Sequence, residues 1–362
     1  MDVILTSPWV PREWIQAHGL TPRGVWLGKK DQPVALPEGV CAFAQEMTRL
    51  SEAHPQAAVV FTTACDQMRR AADAVWSQVG SRGFLFNLPA TWQSPAARRL
   101  YHAEVARLGR HLETLGGRAP TAAELAAVMH EHEAQRAALR SRIQDSSARQ
   151  AAEALATWFS GGEMPAVPDD AIPGAAQSLA GARTFLSARP PLKPEADKNV
   201  RAPSPPLHEV QTHPAAPQGV RLAIVGGPLL PYHWPLFDAI SQAGGRVVLN
   251  ATEPGERCLL PSLPAPAAGP DPLIALADHY FDHAVDVFHR PNTRLYAWLR
   301  PRLADREVRG IVLWHHFGCD LWRAEAQPLR EAFGLPVLLL EADGAALSRS
   351  TNRLEAFLES LR

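Results

Sequence analysis

The sequence contains few cysteines, and no two of them lie close together along the chain. Its 362 residues include four, Cys41, Cys65, Cys258 and Cys319, with no Cys-x-x-Cys pair. Such wide spacing does not fit the disulfide framework of a small secreted protein. We therefore predict a reducing, cytoplasmic setting, in which the thiols are available for metal binding or for catalysis.

An excess of charge and a long apolar run at the start are also missing. The formal net charge is −1, which leaves no basic excess to attract nucleic acid or an anionic membrane. Residues 1–8 have neither a basic stretch nor a long apolar stretch, so we expect no signal peptide and no membrane span. With 46% hydrophobic and 20% charged residues, the composition is that of a soluble globular protein.

What the sequence does contain is a regular alternation of apolar strands and helices. This predicts an α/β fold of two Rossmann-like parallel-sheet domains with a helical insertion and a cleft between the domains. We expect an N-terminal α/β domain at 1–160 with its insertion at about 95–160, a Pro-rich linker or strap at 161–218, and a C-terminal α/β domain at 219–362. The main predicted strands are 3–6, 25–27, 57–62, 221–225, 246–249, 310–314 and 335–341.

Three cysteines occupy similar places in this pattern. Cys65 and Cys319 each follow an apolar strand and precede a helix, and Cys41 also falls near a helix start. In open α/β sheets, ligands bind at the carboxyl ends of the strands. A helix start stabilises negative charge and is expected to lower the pKa of a thiol. Three such thiolates suit an iron–sulfur cluster or zinc, with His315 or His316 as a fourth zinc ligand. Small buried hydrophobic cysteines are the alternative.

Several segments of the sequence together form a recognisable pattern. They are the opening segment 7–22, the first cysteine segment Pro37-Glu38-Gly39-Val40-Cys41-Ala42-Phe43, the two Cys-Asp segments Thr63-Ala64-Cys65-Asp66 and Phe317-Gly318-Cys319-Asp320-Leu321-Trp322, the triplet Gly255-Glu256-Arg257, and the terminal segment 349–359. In this order the segments resemble a known family of enzymes, the 2-hydroxyacyl-CoA dehydratases, benzoyl-CoA reductase subunits and their relatives. The resemblance is collinear from residue 3 to the C-terminus and weakest over about 160–218.

The resemblance implies a [4Fe-4S] cluster on Cys41, Cys65 and Cys319, in the cleft between the two α/β domains. It also implies an acyl-CoA substrate, a related second subunit, and a separate ATP-dependent iron–sulfur activator that supplies a low-potential electron. The reaction is then a radical dehydration of a 2-hydroxyacyl-CoA or a reduction of benzoyl-CoA. Cys258 lies outside this pattern and is interpreted as structural.

Three further residues are candidates for catalysis, each with a simpler interpretation beside it. Ser7 follows the first strand and could face the cluster or the thioester, or only cap a turn. Glu13 could support a proton transfer, or only interact with the start of its helix. His316 could donate a proton or a hydrogen bond to sulfur, or only end a strand.

Three functions stay open at this stage. The first is a catalytic iron–sulfur subunit acting on acyl-CoA thioesters. The second is a non-catalytic partner subunit whose cluster relays electrons or completes an interface. The third is a zinc-stabilised binding protein. The sequence has no Gly-x-x-x-x-Gly-Lys-Ser/Thr phosphate loop, so we expect any ATP-driven electron transfer to come from another protein.

Overall fold

The computed structural model describes residues 1–25, 40–161, 219–263, 271–342 and 346–362. The predicted linker 161–218 lies outside the described residues, except for Gly161. Trp26 and Leu27 of a predicted strand and residues 37–39 of the first cysteine segment lie outside them too.

The N-terminal sheet has four parallel strands in the order β2-β1-β3-β4. The edge strand that pairs with β1 runs from Thr21 to Gly24 and is absent from the sequence prediction, while only Val25 of the predicted strand 25–27 lies in the described residues. This edge strand contains Pro22, which a sheet tolerates at its edge. The fourth strand is not predicted at all, since it is short and begins with glycine. The strands are β1 (Asp2–Leu5), β2 (Thr21–Gly24), β3 (Ala58–Thr62) and β4 (Gly83–Phe86).

Helices connect these strands and then extend beyond the sheet. The predicted insertion is helical, and Thr121 and Glu124 form the predicted capping box at the start of its second helix. The helices of this half are α1 (Arg12–Ala17), α2 (Ala42–Ala53), α3 (Asp66–Val79), α4 (Pro95–Thr114), α5 (Ala122–Asp145) and α6 (Ala148–Phe159).

The C-terminal sheet repeats the topology of the first, with four parallel strands in the order β6-β5-β7-β8. The strands are β5 (Val220–Pro228), β6 (Gly245–Glu253), β7 (Gly310–His316) and β8 (Val337–Ala342). The described helices of this half are α7 (Pro235–Gln242), α8 (Pro272–His283), α9 (Thr293–Asp305), α10 (Asp320–Arg323), α11 (Ala326–Phe333) and α12 (Ala346–Ser360). The α/β fold with two Rossmann-like sheets is therefore as the sequence predicts.

The hydrophobic core of the first sheet continues into the second half of the chain. Helix α8 packs against α4 and α5, and its Leu276, Tyr280 and Phe281 belong to the same buried cluster as the N-terminal strands. Arg98 of α4 strengthens this contact, because its Nη2 atom lies 2.5 Å from Oδ1 of Asp282. Both sheets belong to one compact unit.

Candidate cofactor site

The two sheets bring Cys65 and Cys319 to equivalent positions. In the first sheet β1 and β3 lie side by side, and in the second sheet β5 and β7 do. From the first strand of each pair the chain continues towards one edge of the sheet, and from the second strand it continues towards the other edge. The crevice at the carboxyl ends of such a strand pair is where open α/β sheets bind ligands. Cys65 lies three residues beyond the end of β3, and Cys319 lies three residues beyond the end of β7. Each cysteine therefore lies at the expected ligand-binding edge of its own sheet.

Each of the three cysteines is the residue immediately before a helix, as the sequence predicts. Cys41 precedes α2, Cys65 precedes α3 and Cys319 precedes the short helix α10. The Cys41 sulfur accepts a hydrogen bond from the backbone N–H of Ala44 at 3.4 Å. Backbone N–H groups of Met68 and Trp322 approach the sulfurs of the other two in the same way. All three sulfurs thus face the N–H groups of a helix start.

The predicted lowering of the thiol pKa is wrong. Burial raises the pKa of Cys65 to about 12 and that of Cys319 to about 11, and it also raises the pKa of Cys41. Hydrogen bonds from the helix starts lower these values, but loss of hydration in the buried site outweighs them. Without a cation the thiols are therefore protonated at neutral pH, and a bound metal would be needed to make them thiolates.

The three thiols lie near one another although they come from different parts of the chain. A charge on Cys41 or on Cys319 raises the pKa of Cys65, and a charge on Cys41 raises that of Cys319. Within the described ranges, no three His, Cys, Asp or Glu side chains converge closely enough to hold one metal ion. The three sulfurs are thus neighbours without a common point of coordination.

Cys258 is placed differently from the other three. Its sulfur is buried and lies 3.8 Å from the carbonyl oxygen of Thr252, in a turn after β6. Burial raises its pKa to about 12, and the charged groups that act on it are Arg257, Glu253 and Asp286 rather than another cysteine. This environment agrees with a structural role.

Ser7 lies in the turn between β1 and α1. Its hydroxyl oxygen accepts a hydrogen bond from the backbone N–H of Trp9 at 3.3 Å, and the residue is buried. This contact is the turn-capping interaction that serine commonly makes. A role beside the cluster or the thioester stays a prediction.

Glu13 forms a buried ion pair that sequence alone does not reveal. Its carboxylate lies 2.5 Å from Nη1 of Arg136 and accepts a hydrogen bond from the hydroxyl of Tyr280 at 2.7 Å. Burial raises the pKa of a carboxyl group, but the charges of Arg136 and His132 and the hydrogen bonds outweigh it and lower the pKa of Glu13 to about 2. These contacts favour a structural role, and the proton-transfer role stays a prediction.

His316 lies at the end of β7 and contacts residues of both halves of the chain. Its ring stacks on Phe43 of α2 with 6.4 Å between centroids, and Nε2 lies 2.7 Å from the carbonyl oxygen of Pro228. Burial lowers its pKa to about 4, so the ring is neutral and donates through Nε2. Its Nδ1 atom has no hydrogen-bond partner among the described residues. The neighbouring His315 has its Nδ1 atom 3.0 Å from the backbone oxygen of His316.

One buried cluster near the site was missed by the sequence reasoning. Arg257 pairs with Asp286, and Trp9 approaches Asp286 through Nε1 at 3.4 Å. The only signal was the Gly255-Glu256-Arg257 triplet, which carried the family resemblance but no assigned chemistry.

The fold and the site together define a class of protein: two parallel α/β sheets with cysteines at their ligand-binding edges. The chain matches the family model of the 2-hydroxyglutaryl-CoA dehydratase D-component over residues 9–361, and it belongs to this family. It is therefore a subunit of the 2-hydroxyacyl-CoA dehydratase type. No curated protein matches the chain. In the part of the chain that the structure describes, no helix is both long and apolar enough to cross a membrane.

Proposed function

We propose that the chain is the [4Fe-4S] subunit of a 2-hydroxyacyl-CoA dehydratase-like or benzoyl-CoA reductase-like enzyme, with Cys41, Cys65 and Cys319 as the cluster ligands. The observation that carries the proposal is that these three thiols lie before three helices from both halves of the chain, near enough for a charge on Cys41 to raise the pKa of both Cys65 and Cys319. Sulfur ligands of this kind suit iron–sulfur clusters and zinc.

The arrangement of the sulfurs favours a cluster over a single zinc ion. Zinc requires every sulfur at about 2.3 Å from one point, and no such convergent group of three occurs among the described residues. In a [4Fe-4S] cluster each cysteine binds a different iron, so the sulfurs stand further apart. Thiols that are neighbours without one common centre fit such a cluster better than a single zinc ion.

The surroundings of the thiols also suit a cluster. N–H groups at the helix starts favour negative charge on the sulfurs. Because burial disfavours charged thiolates, the thiols lose their protons only when a bound cation compensates the negative charge. Phe43 and Trp322, which follow Cys41 and Cys319 closely in sequence, are buried apolar side chains. A bound cluster would supply single-electron transfer and Lewis-acid chemistry at a thioester carbonyl.

The proposed route for substrate and partners is the side of Cys65 and Cys319. Cys41 is buried, whereas Cys65 and Cys319 are partly exposed. Next to Cys319, Phe317 is 61% exposed, which is unusual for a large apolar side chain. We propose that an acyl-CoA thioester, a related second subunit and an ATP-dependent iron–sulfur activator approach from this side. The family's two-component organisation supports the second subunit.

The test is anaerobic purification followed by iron and sulfide analysis and EPR spectroscopy. We expect about four irons and four sulfides per chain. Serine variants of Cys41, Cys65 and Cys319 should lose the cluster. Cys258→Ser is the matched control, because this cysteine is also buried but lies in another environment, and it should retain the cluster.

Two results would count against parts of this proposal. Stoichiometric zinc without acid-labile sulfide would refute the cluster and would indicate a zinc-stabilised binding protein instead. A fully loaded chain that stays inactive with its second subunit and activator, while its Cys→Ser variants lose the complex, would indicate the non-catalytic partner subunit.

A further inference from the structure

The buried arginine next to the site has an unusual set of partners. The side chain of Arg257 is 0% exposed. Its guanidinium donates to the backbone oxygens of Ala251 at 3.2 Å, Val285 at 2.8 Å and Gly226 at 3.1 Å. These oxygens come from the end of β6, from the segment after α8, and from the end of β5. One planar group therefore ties together three segments at the carboxyl edge of the C-terminal sheet.

One carboxylate, that of Asp286, forms a close ion pair with Arg257. Asp286 accepts hydrogen bonds from Arg257, from Nε1 of Trp9 at 3.4 Å, and from the backbone N–H of Val287 at 2.6 Å. Glu253 only approaches Arg257, at 4.0 Å. Asp286 is thus the carboxylate that accepts the hydrogen bonds of this cluster.

Two tryptophans near the site lie within cation–π distance of the guanidinium. Arg257 lies 5.0 Å from the ring centroid of Trp322 and 5.9 Å from that of Trp9. Trp322 is in α10, three residues after Cys319, and Trp9 donates its backbone N–H to the hydroxyl of Ser7. Asp286 lies near enough to Cys319 for its charge to add to the effect of burial in raising the pKa of that thiol.

We propose that Arg257, together with Asp286, is a positioning residue that fixes the Ser7 turn of the first half and the Cys319 helix of the second half relative to each other. A planar guanidinium can donate to several carbonyls in its plane while both of its faces stack on aromatic rings. A lysine ammonium cannot do both, because it is a compact point charge. The geometry of the cysteine site therefore depends on an arginine at this position.

The inference deepens the proposed function, but its test does not require the cluster. Metal-free protein is treated with a limiting amount of iodoacetamide, and the alkylation rate of each cysteine is measured by mass spectrometry. Cys65 is the internal reference, because it is partly exposed like Cys319 but belongs to the other sheet. In Arg257→Lys we expect a severalfold rise at Cys319 with an unchanged rate at Cys65.

The matched control is Arg302→Lys. Arg302 also stacks on a tryptophan, at 4.1 Å from the ring centroid of Trp298, and donates to its backbone oxygen at 2.9 Å. It should leave the rates of all four cysteines unchanged.

Trp9→Phe provides a milder variant in case Arg257→Lys does not fold. It removes one hydrogen bond to Asp286 from the first half and keeps an aromatic ring. We expect a smaller rise in the alkylation rate of Cys319, because the Ser7 turn and the Cys319 helix are coupled through Arg257. An equal rise at all four cysteines in Arg257→Lys would show general loosening and overturn the positioning role. Unchanged alkylation of Cys319 in either folded variant would overturn it as well.

The two proposals can fail separately. A Cys319-specific effect in a protein that never binds iron would leave the positioning role standing and would refute the proposed cluster. Normal cluster binding without the Cys319-specific effect would support the proposed cluster and would refute the positioning role.

Discussion

Replacing Glu13 by Gln tests the energetic weight of the buried ion pair between α1 and α5. Glutamine keeps the shape of the side chain and can still accept a hydrogen bond from Tyr280. It leaves Arg136 buried without its main negative partner, because Glu133 reaches only Nε of Arg136, at 3.2 Å. An uncompensated buried charge is strongly destabilising.

The magnitude follows from the pKa of Glu13. It falls from an ordinary 4.5 to about 2 in the folded protein. Each pKa unit corresponds to about 1.4 kcal/mol, so the ionised carboxylate contributes about 3 kcal/mol to the free energy of unfolding at neutral pH. Exposure to solvent does not reduce this value, because the Glu13 side chain is 0% exposed.

The pH dependence has a definite sign. Because the pKa is lower in the folded state, the stabilisation is present above pH 4.5 and is lost as the pH falls towards 2. The difference between wild type and Glu13→Gln should therefore be largest at neutral pH and shrink in acid.

The assay is urea unfolding of both proteins at pH 7 and at pH 3, followed by tryptophan fluorescence. Glu113→Gln is the control, since Glu113 is exposed on α4 and should change stability by less than about 0.5 kcal/mol. If Glu13→Gln matched wild type at pH 7, or if its deficit were the same at both pH values, the argument from the ion pair would be wrong.

Three further predictions concern the second sheet and the partners. Burial, with the charge of Asp286, raises the pKa of Glu253, so the stability of wild type relative to Glu253→Gln should fall as the pH rises above about 4.5; equal slopes of stability against pH in denaturant titrations would contradict this. Gly226→Ala should cost at least about 3 kcal/mol, because its Cβ would lie 1.9 Å from the oxygen of Trp314, whereas Gly334→Ala, with open space around it, should cost about 1 kcal/mol in the same titration. Acyl-CoA turnover should need a second subunit, an activator and ATP; full-rate turnover by this chain with a chemical reductant alone would refute that dependence.

The sequence was sufficient for features that depend on local pattern. Apolar runs bounded by glycine identified most strands, and Thr121 with Glu124 identified a helix start. The position of Cys65 and Cys319 between a strand and a helix also follows from local sequence. These features need only a few neighbouring residues, and so they can be read from one sequence.

Features that depend on distant residues could not be predicted. The partner of Glu13 is Arg136, 123 residues further along the chain, so its ion pair has no local signature. The thiol pKa values were predicted with the wrong sign, because the helix start is a local property while burial is set by the whole fold. The role of Arg257 depends in the same way on Trp9, which is far from it in sequence.

The packing of α8 restricts how the molecule can open. This helix follows β6 in the chain, yet Tyr280 and Phe281 are buried against the helices of the first half. Burial of aromatic side chains of this size is worth several kcal/mol, and hinge opening that carried α8 away would lose it. A clamshell motion of the two sheets is therefore costly, and ligand exchange is expected to use the face where Cys65 and Cys319 are already partly exposed. The protein would then bind its ligands as a preformed frame rather than by closing around them.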